Sequence, residues 1–231
     1  MDIAIEGVAP YLGQTITDIY GRKIGILVGV YSDVDGKVSS FEIMTNDASY
    51  ETITVERFEH NVDGLKLMPE WLVEAKKLER KLDILKKRFK SLEELSKKNQ
   101  IPQHAYRELK EKFSKDLDKL KIEIKNLKDI LRKRTYELEN FILHIEKALT
   151  HLLISYTSGE LPENGFKISA DFMRFAKQAA MEERKDVEKH ISLIDKLEQE
   201  LISVVSQPQE EIQITSPTAA QQPIAVKVVT G

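Results

Sequence analysis

The longest pattern in the chain is a series of apolar residues that recur at alternating intervals of three and four between Trp71 and Ser155. The residues of this pattern, which we name the heptad seam, are Leu78, Leu82, Leu85, Phe89, Leu117, Leu120, Ile124, Leu127, Leu131, Leu138, Phe141 and Ile145. One slot of the repeat falls on Arg134 instead of an apolar residue. This spacing puts a narrow apolar strip on one side of an α-helix, and such a strip is normally buried against another helix.

The heptad seam predicts two long helices, over residues 70–98 and 102–155, with a break at Asn99-Gln100-Ile101-Pro102. Proline cannot continue a helical hydrogen-bond ladder and pushes the preceding residue out of the α region. A break this short favours an antiparallel hairpin. Because the second helix is longer than the first, part of its seam would stay open. We therefore expect self-association into dimers and filaments along this seam.

A third helix is predicted over residues 169–205, after a loop rich in glycine and proline at 157–165. Ser169 is its expected N-cap residue. The segment from Met181 to Lys189 is almost wholly polar. This interruption predicts two separate packing faces on the helix. Residues 70–205 together form the predicted coiled-coil region.

The pattern changes to short β-prone runs in residues 1–69, the predicted N-terminal domain. The runs lie around residues 14–19, 23–31, 38–44 and 51–57. Asp35-Gly36 stands between two runs rich in Val and Ile, and this pair is a strong hairpin signal because glycine tolerates positive φ. Short strands bury little apolar area unless the sheet curls, so a small antiparallel β-barrel is the favoured architecture. The predicted fold class is α+β.

The segment from Gly13 to Gly25 reads Gly-x-x-Ile-x-Asp-x-x-Gly-x-x-Ile-Gly, and Leu67–Trp71 follows at the end of the β region. Both segments resemble the PRC-barrel family, the first its opening hairpin and the second its closure. The alternative is another small antiparallel barrel. PRC-barrels are adaptor domains, so the resemblance argues against catalysis. The residues that carry the match, and that we expect at the barrel turns, are Gly13, Asp18, Gly21 and Gly25.

The C-terminal end combines a predicted flexible linker, residues 206–222, with a β-prone segment, residues 223–231. The linker contains glutamines and prolines and few large apolar residues, so it buries too little surface to order itself. The final segment alternates Ile224, Val226 and Val228, and an extended peptide of this kind can add a strand to another protein's sheet. The alternatives are a disordered end or a strand that folds back onto the barrel.

Charge is divided unevenly along the chain, whose overall net charge is −3. Residues 1–70 carry 5 basic and 12 acidic side chains, residues 71–155 carry 22 and 14, and residues 156–231 carry 8 and 12. The basic middle suits a DNA backbone or an anionic lipid surface, without sequence specificity. A solvated coiled-coil flank is the alternative. The candidate residues of the anion-binding surface are Lys76, Lys77, Arg80, Lys81, Lys86, Lys87, Arg88, Lys90, Arg132, Lys133 and Arg134.

Composition narrows the possible chemistry. The chain has no cysteine, which excludes disulfides, thiolate nucleophiles and cysteine-ligated metals and favours a reducing cytosol. The five histidines are scattered, and no apolar run is long enough to span a membrane. The opening residues do not resemble a signal peptide. We expect no catalytic residue, no metal, no cofactor and no small-molecule substrate.

The order of these parts along nearly the whole chain resembles the archaeal CdvA family of cell-division proteins. The resemblance implies a non-enzymatic, filament-forming scaffold at the mid-cell division site, peripheral to membrane and nucleoid. It also implies recruitment of the ESCRT-III-like protein CdvB, whose winged-helix region would accept the C-terminal peptide as an added strand. The alternative is a coiled-coil, chromosome-organising DNA-binding protein without an ESCRT-III partner. The peptide residues that would carry recruitment are Pro223, Ile224, Ala225, Val226, Lys227, Val228 and Val229.

Overall fold

A computed structural model describes residues 4–61 and 64–205. A one-turn helix, α1 (Ile5–Val8), precedes a six-stranded sheet with the strand order β4-β3-β2-β1-β6-β5. The strands are β1 (Thr15–Asp18), β2 (Lys23–Ser32), β3 (Val38–Asn46), β4 (Ser49–Thr54), β5 (Phe58–Asn61) and β6 (Gly64–Leu67). All neighbouring strands are antiparallel except β1 and β6, which are parallel. The sheet curls into a half-barrel, so the predicted class of a small β-barrel followed by long helices is confirmed.

The concave side of the sheet holds its own apolar core. Alternation of buried and exposed side chains along the strands supplies this core, as expected for a sheet with one covered face. Its buried members are Val8, Ile16, Leu27, Val38, Phe41, Ile43, Ile53, Phe58, Leu65 and Leu67. The predicted β2–β3 hairpin is observed, with Gly36 at φ +75°. Strands β5 and β6 were not predicted, because four-residue strands carry too little periodicity to be recognised.

Close approach of two strands explains one glycine of the barrel motif. A Cβ atom at Gly25 would overlap the main-chain carbonyl oxygen of Met44 and lie 2.7 Å from Cγ2 of Ile43. Both contacts are on β3, the neighbour of β2 in the sheet. Only glycine fits here without displacing backbone. The expectation that Gly25 lies at a barrel turn is wrong, because it stands within β2, and the motif here encodes the packing of β2 against β3.

The helical part consists of α2 (Glu70–Lys97), α3 (Gln103–Thr157) and α4 (Glu163–Val205). At 1.5 Å per residue, α2 is about 42 Å long and α3 about 82 Å. The predicted break between them is observed. Asn99 adopts φ +52° and the Gln100 N–H donates to the Leu95 carbonyl oxygen at 2.9 Å, a Schellman-type helix end.

The start of α4 differs from the prediction. The helix begins at Glu163, six residues before the expected N-cap Ser169, which lies inside the helix. Pro162 stands immediately before the first helical residue, and proline is well tolerated at a helix start because its missing N–H needs no partner there. The proline and glycine that indicated a longer loop therefore belong to the helix entrance.

Helix α4 folds back along both α2 and α3 and completes a three-helix bundle. Lys86 on α2 contacts Glu200 on α4 at 2.9 Å, and Phe89 on α2 packs against Phe113 on α3 with ring centroids 5.5 Å apart. Lys128 on α3 lies 2.5 Å from Asp195 and Glu198, both on α4. These contacts hold the helix pairs at matching heights along the bundle.

The heptad seam is buried inside one chain. Leu82 and Leu131 have no exposed surface, and every other seam residue except Phe141 is also buried. The expectation that part of the α3 seam stays open is therefore wrong for these positions, because α4 supplies the missing third face. Phe141 is 45% exposed, while its neighbour Ile142 is 8% exposed and takes the inward position.

Beyond the bundle, α3 and α4 continue together as a pair. We name residues 135–157 of α3 and 163–182 of α4 the hairpin extension. Lys177 and Glu146 form an ion pair at 2.7 Å, and the rings of Tyr156 and Phe166 stack 4.4 Å apart near the turn. The extension therefore projects past the sheet as two paired helices.

The predicted split of α4 into two packing faces is also wrong. Residues Ala179, Ala180, Glu183 and Val187 are buried in succession through the polar middle of the helix. A buried carboxylate takes the place of the missing apolar residue. Within residues 4–61 and 64–205, no helix is long and apolar enough to cross a membrane. The linker and the C-terminal peptide lie outside the described residues.

Candidate functional site

Glu183 of α4 has no exposed surface and joins the sheet to all three long helices. Its Oε1 accepts hydrogen bonds from Nε of Arg134 on α3 at 2.7 Å and from Nε1 of Trp71 on α2 at 3.1 Å. Its Oε2 accepts from Nη2 of Arg134 at 2.9 Å and lies 2.7 Å from Nη1 of Arg22, which follows β1. We name Arg22, Trp71, Arg134 and Glu183 the joint cluster.

The turn between β1 and β2 positions Arg22. The side chain of Asp18, only 3% exposed, accepts hydrogen bonds on Oδ1 from the backbone N–H groups of Tyr20 and Arg22, each at 2.9 Å. Its Oδ2 accepts from Nε of Arg22 at 2.6 Å. Gly21 between them adopts φ +82°, a conformation that favours glycine. The Asp-x-x-Gly part of the barrel motif therefore aims the Arg22 guanidinium at α4.

Tyr20 and His190 make further contacts around the joint cluster. The Tyr20 hydroxyl donates to Oδ2 of Asp186 on α4 at 3.3 Å. Burial, reinforced by the nearby Asp186 and Glu183 carboxylates, raises the pKa of Tyr20, so the phenol keeps its proton and remains a donor. On the other side, His190 packs edge-on against Trp71 with ring centroids 5.9 Å apart, and its Nδ1 lies 2.5 Å from Oε1 of Glu79.

The electrostatics of the cluster favour an ionised carboxylate. Burial by itself would raise the pKa of Glu183, but the hydrogen bonds from Arg134, the charges of Arg22 and Arg134 and the Trp71 N–H together lower it below its ordinary value. The hydrogen bond to Glu183 in turn raises the pKa of Arg134 against the effect of burial. The Glu183 carboxylate and the Arg134 guanidinium thus each stabilise the ionised form of the other.

The joint cluster is a fixed connection between the sheet and the three long helices. Among the described residues, no buried side-chain nitrogen or oxygen lacks a hydrogen-bond partner. The same residues contain no group of three or more histidine and acidic side chains placed to hold a metal ion. A saturated set of buried charges has one arrangement of lowest energy, and it therefore fixes the orientation of the sheet on the helices.

The predicted anion-binding residues fall into different environments. Arg134 belongs to the joint cluster, and its guanidinium also contacts Glu137 at 3.2 Å. Four lysines on α2 form ion pairs: Lys77 with Glu56 at 2.5 Å, Lys81 with Glu123 at 2.7 Å, Lys86 with Asp83 and Glu200, and Lys87 with Asp83 at 2.6 Å. Lys76 approaches the Met68 sulfur at 3.5 Å. These contacts use part of the positive charge within the molecule.

The remaining basic residues of the predicted surface are more accessible to an anionic ligand. Arg80, Arg88 and Lys90 are exposed on α2 and form no ion pair with any described residue. Arg132 and Lys133 are exposed on α3, where their contacts to carboxylates of the same helix are longer, at 3.4 and 3.9 Å. Such exposed pairs contribute little energy and leave the cations accessible. The structure thus separates structural from exposed members of the predicted surface.

Sequence reasoning missed Arg22, Trp71 and Glu183 as members of one site. The signal that pointed to it was Arg134, an arginine in an apolar slot of the heptad seam. The complementary signal was an acidic residue in the polar middle of α4. The two partners are 49 positions apart, so only the tertiary structure pairs them.

Comparison with known proteins extends the argument to function. Residues 70–217 match a family model described as the CdvA-like coiled-coil domain. The chain is also similar to Cell division protein A of Sulfolobus acidocaldarius, with 30% identity over 204 residues that cover 88% of this chain and 85% of that protein. No solved structure matches. The family predicted from the order of the parts is confirmed, and the chain belongs to the CdvA family of cell-division proteins.

Proposed function

We propose that the protein is a non-enzymatic, filament-forming scaffold of an archaeal ESCRT-III-based division machinery, held peripherally at mid-cell between membrane and nucleoid. The observation that carries the proposal is its similarity, over 88% of the chain, to a protein named Cell division protein A. In this scheme the sheet and the helices form a rigid body, the basic surface binds an anionic polymer or membrane, and the C-terminal peptide recruits a partner.

The joint cluster supports the scaffold role. A scaffold must keep the geometry between its binding surfaces, and a hinge between sheet and helices would lose it. Glu183 links the sheet to all three long helices through charge-assisted hydrogen bonds, which are about twice as strong as neutral ones. The sheet therefore has a defined direction relative to a bundle about 40 Å long.

The anion-binding surface is proposed to be centred on the exposed basic residues. Arg80, Arg88 and Lys90 on α2 supply its unpaired charge, and Arg132 and Lys133 on α3 supply a second group. Arg134 is left out because its guanidinium is engaged by Glu183. Binding through such residues would release counterions and would not depend on base sequence.

Charge reversal tests this surface. The triple variant Arg80→Glu, Arg88→Glu, Lys90→Glu should weaken binding to a DNA duplex and reduce the slope of log affinity against log salt by roughly 3, since each phosphate contact contributes about 0.9. The matched control is Lys77→Glu with Lys87→Glu, whose ammonium groups already contact carboxylates. Equal loss in both variants would refute the assignment to the unpaired residues.

Partner recruitment is proposed to reside in residues 223–229. Deletion of residues 222–231 should abolish pull-down of the winged-helix region of CdvB and leave self-association intact. An extended peptide presents alternate residues to one side. Ile224→Ser, Val226→Ser, Val228→Ser should therefore abolish the pull-down, whereas Ala225→Ser with Lys227→Ser should retain it. Unchanged pull-down after the deletion would refute recruitment by the peptide.

A second candidate function is a chromosome-organising DNA-binding protein without an ESCRT-III partner. The exposed basic residues on α2 and α3 favour it, because they suit DNA without requiring any use of the peptide. DNA binding with a steep salt dependence, together with no binding of CdvB by the full chain, would establish this candidate in place of the scaffold. Binding of CdvB through the peptide would exclude it.

A further inference from the structure

The groove between α3 and α4 is filled by α2 in one half of the molecule only. Helix α2 begins at Glu70, where the chain leaves the sheet, and it lies in this groove at least as far as Lys86, which contacts Glu200 of α4. Beyond the start of α2, the groove passes the sheet, where Phe175 packs against Gly21. It then continues along the hairpin extension, where no described residue occupies the position of a third helix.

The positions that face α2 in the bundle continue into the extension as aromatic residues. Glu123 on α3 pairs with α2, and Phe141 follows it by 18 residues, which is five full turns and therefore the same side of the helix. His190 on α4 contacts Glu79 on α2, and Phe172 precedes it by the same interval. The apolar lining of the groove thus extends past the helix that fills it.

This continuation is exposed to solvent. Phe172 is 71% exposed, Ile168 is 61% exposed and Phe141 is 45% exposed. Together with Phe175, these side chains offer roughly 400 Å² of apolar surface, on the basis of about 200 Å² for a full side chain. This area is about half of what each partner buries in a stable complex. The flanking backbone and smaller side chains of two paired helices would supply the remainder.

The charge of the extension disfavours an anionic partner. The extension carries four basic and six acidic side chains and therefore has a net charge of −2. By contrast, α2 carries nine basic and six acidic side chains. An anionic polymer or an acidic peptide would find no excess positive charge along the extension. A second copy presents the same weakly charged, apolar face, and two identical faces can meet across a two-fold axis.

We propose that the hairpin extension docks onto the hairpin extension of a second copy, so that the two pairs of helices form an intermolecular four-helix bundle around Phe172 and Ile168. This interface relocates self-association from the heptad seam, which one chain buries alone, to the uncovered end of the groove. The inference deepens the proposed scaffold function and rests on it. It names the surface through which one copy would contact the next.

Sedimentation equilibrium of the full chain tests the proposal. The native chain should be at least a dimer, and the double variant Phe172→Ser, Ile168→Ser should associate at least 100-fold more weakly with an unchanged circular dichroism spectrum. The matched control is Leu143→Ser, because Leu143 is 62% exposed on the extension but lies two residues, about 200°, from Phe141 and therefore on the opposite side of α3 from the groove. A monomeric native chain, or equal association of both variants, would overturn the proposal.

Cross-linking provides a second readout that does not depend on a destabilising change. The chain has no cysteine, so Phe172→Cys introduces a single thiol. A flexible bis-maleimide should join two copies through Phe172→Cys, and Leu143→Cys should remain uncoupled. If coupling at Phe172→Cys occurs only after removal of residues 206–231, the tail of the chain covers the groove and the proposal fails. If only lipid vesicles protect that thiol, a membrane is the occupant and the proposal also fails.

The two proposals can fail separately. The serine variants should still bind the winged-helix region of CdvB, because the peptide lies far along the chain from the hairpin extension. Loss of self-association with retained partner binding supports the interface. A native dimer that is lost in the serine variants but does not bind CdvB would refute recruitment and support the interface.

Discussion

The substitution Glu183→Gln should weaken the joint between the sheet and the helices. The replacement keeps the volume of the side chain and removes its charge. The amide oxygen can still accept a hydrogen bond, but the amide nitrogen would face a guanidinium donor of Arg22 or Arg134. Two arginines would then lose the carboxylate that both contact.

The expected loss of unfolding free energy follows from the burial of the Glu183 carboxylate. Removing one partner of a buried ion pair costs about 3–5 kcal/mol of unfolding free energy. The side chains of Arg22 and Arg134 are 28% and 33% exposed, so both guanidinium groups can recover part of their hydration. We therefore expect the lower end, about 3 kcal/mol, which corresponds to a fall in Tm of about 6–12 °C for a chain of this size.

The chain carries its own reporter for the measurement. Trp71 is the single tryptophan, is 6% exposed and donates its indole N–H to Glu183. Urea unfolding followed by tryptophan fluorescence therefore reports the joint directly, and far-ultraviolet circular dichroism reports the helices. The matched control is Glu182→Gln, one residue earlier on α4, where the carboxylate is exposed and contacts only Gln178.

A Glu183→Gln variant whose unfolding free energy lies within about 0.5 kcal/mol of the native chain, the range of an ordinary surface substitution, would contradict this prediction. The same conclusion would follow if Glu182→Gln and Glu183→Gln were equally destabilising. A double-mutant cycle with Arg22→Met isolates the pair, since its coupling energy should be positive only if the two side chains interact in the folded state.

Three further outcomes test the joint, the sheet and the helical core. Acidification should destabilise the joint, because the pKa of Glu183 in the folded chain lies below its ordinary value of 4.5. The contribution of Glu183 to the unfolding free energy is complete above pH 4.5 and is lost as the pH falls through the lowered pKa of the folded chain. Tryptophan fluorescence should show this loss, and Glu183→Gln should abolish it. Gly25→Ala should destabilise the sheet by about 1–3 kcal/mol through backbone overlap, whereas Gly7→Ala, with open space around it, should have little effect in thermal unfolding. In urea unfolding, Leu131→Ala should lower the unfolding free energy by about 2–5 kcal/mol, whereas Ile122→Ala, at an exposed position, should lower it by less than about 1 kcal/mol. Similar losses for the two variants would contradict the three-helix core.

Local features of the fold could be predicted from the sequence. The helix break before Pro102 and the hairpin turn at Gly36 are properties of a few adjacent residues, and each is observed where the pattern placed it. The heptad seam likewise identified the inward side of α2 and most of α3. Helix starts are less certain, because Glu163 begins α4 next to a proline and a glycine that also suit a loop.

The candidate site could not be predicted, because its members are distant along the chain. Trp71 and Glu183 are 112 positions apart, and nothing in their neighbours indicates a hydrogen bond between them. Arg134 showed only that one seam position was polar, and its basic neighbours favoured a surface role. Pairing required the fold to bring α2, α3 and α4 to the same height.

The sequence by itself determined that this protein consists of a small β domain, long amphipathic helices and a distinct C-terminal segment, because periodicity and turn residues act over a few positions. Only the tertiary structure decided what covers the heptad seam. An apolar strip indicates that one side of a helix is buried, but it does not indicate which helix covers it. A strip covered by α4 and a strip covered by a second copy therefore look alike in sequence. The exposed phenylalanines of the hairpin extension could be distinguished from the buried seam only in the structure, because α2 fills the groove between α3 and α4 on one side of the sheet only.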